Sequence, residues 1–93
     1  MEFSTVGAED LVDEARKRLE EVECLVVFGS EDTIVGVITK AELNRNGTTC
    51  SNIMELDILV MTELDSSKIS IWNPTYIVIH DGDYEPLSVS CGP

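Results

Sequence analysis

Basic side chains are scarce in this sequence: six lysines and arginines stand against eighteen aspartates and glutamates, a formal net charge of −12 over 93 residues. Direct binding to nucleic acid or to an anionic membrane is disfavoured, because both rely on Lys and Arg to neutralise phosphates. What remains is a basic protein partner, or a surface charged for solubility alone. Long apolar runs are missing too. None approaches the ~18 residues that cross a bilayer, and the first residues lack the basic and apolar regions of a signal peptide, which predicts an intracellular chain. The three cysteines, Cys24, Cys50 and Cys91, show no C-x-x-C spacing and are odd in number. They fit neither a disulfide framework nor a zinc site, so free thiols are expected and no metal ligand is assigned.

Chemistry-bearing patterns are equally thin. There is one histidine, His80, at the end of an apolar alternation, where a hydrogen-bonded structural role outweighs catalysis. No Ser-His-Asp or Cys-His pairing is legible, and no G-x-x-x-x-G-K-[ST] or G-x-G-x-x-G cradles phosphate. Asp81-Gly-Asp-Tyr-Glu85 lacks the twelve-residue register of an EF-hand and reads as a hairpin turn. Carboxylates are so abundant that some pair lies close by chance, so acid/base arguments discriminate nothing. The reading is therefore a non-enzyme with no catalytic residue and no cofactor.

What is present is a regular alternation of short apolar segments. Ninety-three residues suffice for one domain, here 1–93, which should fold alone or as a small oligomer such as a homodimer. Residues 1–7 read as a leader. Leu11, Val12, Ala15, Leu19 and Val22 recur at helical spacing and predict an amphipathic helix from about Ala8 to Glu23. Two β-branched runs follow, Cys24–Phe28 and Thr33–Thr39, joined by a hairpin turn at Gly29–Asp32. Lys40 to Arg45 predicts one or two helical turns, and the polar stretch after Asn46-Gly47 through Asn52 predicts a mobile loop. Strand signals then fall at Leu56–Thr62, Lys68–Trp72, Tyr76–His80 and Leu87–Ser90. The fold class is α+β, with the N-terminal helix packed on an antiparallel or mixed sheet of five to six strands in two layers.

Two family resemblances are carried by particular residues. Over residues 10–43, a helix leading into Leu25-Val-Val-Phe28, an acidic turn and Ile34-Val-Gly-Val-Ile-Thr39-Lys-Ala-Glu42-Leu43 is similar to a CBS domain. That family commonly places a Thr or Ser three residues before an Asp that holds an adenosine ribose. Here the pair is Thr39 and Glu42, which implies an adenine-nucleotide-binding regulatory module.

The second resemblance covers more of the chain. Glu55-Leu-Asp-Ile-Leu-Val-Met-Thr-Glu-Leu-Asp-Ser-Ser67 resembles the central strand segment of the bacteriophage uracil-DNA glycosylase inhibitor family, and Ile77-Val-Ile-His-Asp81 its penultimate strand and turn. Members of that family are small, acidic mimics of DNA. The resemblance implies a viral protein acting in the host cytoplasm, whose partner is a basic DNA-binding protein, uracil-DNA glycosylase. Glu31, Asp32 and Glu42 would present carboxylates to the enzyme's DNA groove, while Val60, Ile69 and Ile71 would line a pocket for its protruding leucine. Between the two, the inhibitor is the main expectation. The CBS-like module and a mimic aimed at another DNA-binding protein are its alternatives.

Overall fold

Five consecutive apolar residues, Cys24 to Phe28, are too many for a strand with one wet face, since side chains alternate between the two faces of a sheet. The computed structural model, which describes residues 1–63 and 74–91, resolves this by burying that strand on both sides. β1 (Phe3–Gly7), β2 (Cys24–Phe28) and β3 (Ile34–Thr39) form one sheet in the order β1-β2-β3. β2 runs parallel to β1 and antiparallel to β3. Leu25, Val27 and Ile38 pack under α1 (Val12–Arg18) and α2 (Cys50–Ile53), together with Val6, Ala15, Leu19 and Ile53. Cys24, Val26 and Val37 point the other way, into a second interior.

The far wall of that interior is a second sheet of β4 (Ile58–Thr62), β5 (Tyr76–His80) and β6 (Pro86–Cys91), in the order β4-β5-β6. Its Tyr76, Val78 and Val89 meet the first sheet, with Ile58 and Val60 packed beside them. The second sheet repeats the first: β5 is parallel to β4 and antiparallel to β6. The hairpins match residue for residue. Cys24 faces Thr39 as Tyr76 faces Cys91, and the register slips at Val27/Phe28 and again at Ile79/His80. Gly29 N–H donates to the Thr33 carbonyl at 2.8 Å, and Asp81 N–H to that of Glu85 at 3.2 Å.

Several expectations are corrected. The chain is α+β, but the six strands among the described residues form two mixed three-stranded sheets rather than one sheet of five or six. The expected strand at Lys68–Trp72 lies outside the described residues. Residues 1–7 are not a leader, because Phe3–Gly7 supplies the parallel neighbour of β2. The helix is shorter than its apolar periodicity. Asp10 Oδ2 accepts from Gly7 N–H at 2.8 Å and holds a turn ahead of it, while Glu20 and Glu21 close it with i→i+3 bonds at 3.3 and 3.1 Å. Such tightening frees Glu23 and Cys24 to donate to the Glu2 carbonyl and start β2.

The polar stretch expected to be mobile is instead pinned. Asn52 Oδ1 accepts from the N–H groups of Thr48 and Thr49 at 3.1 Å each, Cys50 N–H donates to Asp10 at 2.8 Å, and Ser51 N–H to Ala8 at 2.9 Å. Arg45 closes the far end, donating to the Ile53 and Met54 carbonyls and pairing with Glu55 at 3.2 Å.

Leu25 is fully enclosed in the helix-facing interior. Leu25→Ala should destabilise the fold by about 2–5 kcal/mol, read as a lowered urea midpoint at unchanged slope.

Burial also pushes the Cys24 thiol from 9.0 up to about 11 and raises Cys50 and the Tyr76 phenol. The unfolded chain therefore loses these protons first as pH climbs. Their contribution is whole below about pH 9 and is lost as pH rises towards 11. Urea midpoints measured from pH 7 to 10.5 should hold level and then fall, and Cys24→Ala should shallow the fall.

Candidate functional site

The carboxyl ends of β3 and β6 and the start of β5 come together at one end of the two sheets. Between them and the turn after α1 lies a pocket of about 550 Å³, lined by Met1, Leu19–Glu23, Thr39–Ala41, Tyr76 and Cys91. This is within the size range of small-molecule sites. A depression of similar size on α1 is lined by Asp10, Leu11, Asp13, Glu14, Lys17 and Arg18, within that helix and the turn before it, and no second element among the described residues lines it.

Behind the pocket residues Thr39 and Tyr76, and bonded to both, sits the one buried charged side chain of the described residues, Glu42, 5% exposed in the 3-10 turn Glu42–Asn44. Burying a carboxylate costs several kcal/mol unless it is hydrogen-bonded. Here Oε1 accepts from Thr39 N–H at 2.7 Å and from the Thr39 hydroxyl at 2.8 Å. The Tyr76 hydroxyl reaches both carboxylate oxygens, at 3.2 and 3.3 Å. Thr39 Oγ1 in turn accepts from Ala41 N–H at 3.2 Å, which fixes the turn. Burial raises the Tyr76 phenol, with the charge of Glu42 adding to the effect, so the hydroxyl keeps its proton and acts as donor. The spacing of Thr39 and Glu42 thus generates a local clasp, and Tyr76 ties it to the opposite sheet.

The residues expected to bind a partner do not converge. Glu31 and Asp32 lie in the β2–β3 loop with positive φ values of 60° and 57°, exposed, at the opposite end of β3 from Glu42. Glu42 is buried rather than displayed. Val60 is half-buried against the inter-sheet core. Ile69 and Ile71 lie outside the described residues. His80 has a structural setting: its Nδ1 accepts from Gly82 N–H at 3.1 Å and its ring stacks on Tyr84 at 4.8 Å. Asp81 Oδ1 accepts from Asp83 N–H at 2.8 Å, closing the hairpin turn.

With this geometry in place, likeness to solved structures is informative. CBSX2 in complex with AMP superposes with a TM-score of 0.64 at 19% identity, over 94% of this chain and 79% of that one. A signal-transduction protein with CBS domains from Burkholderia ambifaria gives 0.63 at 16% identity, over 98% and 76%. The soluble part of a magnesium transporter gives 0.65 at 20% identity over 98% of this chain, which spans 41% of that structure. The fold is that of CBS-domain proteins. No family model and no curated protein matches the sequence.

These likenesses overturn the expectation of a viral DNA mimic inhibiting uracil-DNA glycosylase. The segment that suggested it, Glu55 to Thr62, contains β4, which pairs in parallel with β5 and sends Ile58 and Val60 towards the inter-sheet core. An Asp-Ile-Leu-Val run is what any strand half-buried at a sheet edge can read. Sequence reasoning named Thr39 and Glu42 but missed Tyr76, Cys91 and the Leu19–Glu23 turn, because the repeat that aligns Tyr76 with Cys24 is one of hydrogen-bond register and not of residue identity.

Cys91 is exposed at the pocket, whereas Cys24 and Cys50 are enclosed with raised thiol pKa values. The thiolate is the reactive form. A chromogenic disulfide reagent at pH 8 should therefore titrate one thiol quickly in the native protein and three in urea, and Cys91→Ser should abolish the fast phase.

Proposed function

We propose that this chain is a CBS-type regulatory module that binds an adenine nucleoside or nucleotide in the pocket between its two sheets. The observation that carries the reading is the placement of the Thr39–Glu42 clasp at the base of a pocket open to small molecules, in a fold shared with a protein solved with AMP. Thr39 supplies a hydroxyl, Tyr76, backed by Glu42, a polar floor, and the aliphatic parts of Leu19 and Val22 an apolar wall. The longer Glu, in place of the Asp of the CBS pattern, folds back on Thr39 and Tyr76. A ligand hydroxyl would exchange with the Tyr76 hydroxyl on the carboxylate rather than meet a free charge.

Regulation follows from the origin of the lining. Thr39, Lys40 and Ala41 belong to the first half of the repeat, Tyr76 and Cys91 to the second. A ligand touching both halves strengthens their association, so that occupancy is converted into a change in how firmly the two sheets hold together. This role is regulatory and not catalytic.

Calorimetric titration with adenosine, AMP and ATP should show saturable binding by at least one of them. At a ligand concentration of about 100 Kd the fold should gain about 2.7 kcal/mol, seen as a raised melting temperature. Ala41→Trp places bulk in the mouth of the pocket from an exposed position and should weaken binding at least tenfold while leaving the ligand-free melting temperature unchanged. Absence of binding by all three ligands, or full binding by a stable Ala41→Trp protein, would refute the assignment.

A further inference from the structure

The charge around this pocket runs opposite to what a phosphorylated ligand needs. Glu20, Glu21 and Glu23 are exposed on the turn that forms one wall. Against these three carboxylates stand Lys40, the one lysine or arginine among the described lining residues, and the ammonium of Met1, which donates to the Val89 carbonyl at 3.0 Å and keeps its charge. The wall is also the carboxyl end of α1, the negative end of the helix dipole, with Arg16, Lys17 and Arg18 in its last turn and none of them lining the pocket. Phosphate sites are built from the reverse elements: helix amino ends, backbone N–H groups and arginine forks. Of the basic residues at the end of α1, Arg18 is committed to Glu14 at 2.9 Å and to the Thr5 carbonyl at 2.7 Å, facing away from the pocket. The net charge of −12 adds a long-range field of the same sign.

We infer that the pocket selects a nucleoside that is neutral or cationic and discriminates against its phosphorylated forms. The inference rests on reading the pocket as a nucleoside site, and adds the charge class of the ligand. Glu20, Glu21 and Glu23 are the specificity-determining residues. They act through the field at the pocket mouth rather than by closing on the ligand, so their effect is screened by salt, whereas contacts of the base and sugar with the floor are not.

The test compares adenosine, 5′-amino-5′-deoxyadenosine, AMP and ATP by calorimetry, without divalent cations, in about 50 and about 500 mM salt. At low salt adenosine should bind at least about tenfold more tightly than ATP, the amino derivative more tightly than adenosine, and the spread should contract at high salt. Glu20→Gln/Glu21→Gln/Glu23→Gln changes only exposed side chains and should bring ATP towards adenosine, narrowing the ratio of their affinities at low salt. If AMP or ATP equals or exceeds adenosine at low salt, or if the triple variant leaves their ratio unchanged, the charge inference fails and the pocket assignment stands. If none of the four binds, the pocket assignment fails and takes the inference with it.

Discussion

Everything in this molecule follows from a central strand that is apolar on both faces. Once β2 carries Leu25 and Val27 on one side and Cys24 and Val26 on the other, a helix layer can satisfy only half of it. The second sheet exists to cover the remainder, and it presents Val78 in a β5 that is likewise central between a parallel and an antiparallel neighbour. Each fully buried aliphatic side chain is worth about 1.5–3 kcal/mol relative to exposure. Neither sheet could leave its inner face in water, so the two halves are mutually obligatory. A small chain thereby acquires two interiors, and the seam between its halves opens at one end as a pocket.

At that end the apolar rule is broken once, by Glu42. The carboxylate could have been replaced by an apolar side chain at no cost to packing, since buried charges are weak contributors to stability. It is retained with every oxygen occupied by Thr39 and Tyr76, residues from opposite sheets. Its effect is to specify register: sliding one sheet against the other by a residue would strand the charge, whereas Val26 against Val78 would slide at little cost. The same arrangement leaves the floor of the pocket polar without leaving it charged towards solvent. A ligand can exchange hydrogen bonds with Tyr76 but gains nothing from a bare carboxylate.

The sequence made the local elements legible and the long-range ones not. Alternation of β-branched residues located β2, β3, β5 and β6 nearly to their ends, and the Thr39–Glu42 spacing marked the clasp. What escaped was pairing. Phe3-Ser-Thr-Val6 is too short and polar to announce itself as a strand, yet β2 needs a parallel neighbour and takes it from there. The Asn46–Asn52 stretch has a loop's composition, but Asn52 turned its polarity inward to bond Thr48 and Thr49. The segment around Val60 was over-read because its pattern, an acidic residue followed by aliphatics, reports burial and says nothing of which strand lies alongside. High acidity fits the inhibitor resemblance equally well, yet a net charge is a property of the surface and carries no information about topology.

The acidity bears differently on the fold now described. Charge of one sign destabilises a compact state by self-repulsion, and ion pairs such as Arg18–Glu14 and Arg45–Glu55, both at least partly exposed, offset little of it. The stability margin must therefore come from the two apolar interiors. The field of a net charge of −12 opposes the approach of polyanions. On the proposed reading of the pocket as a nucleoside site, a small molecule entering through that field is favoured when it carries no negative charge. Glu20, Glu21 and Glu23, on the turn that ends α1, place part of the same charge at the entrance itself. Surface composition and pocket chemistry are then one constraint, applied over the whole chain and concentrated where the two sheets part.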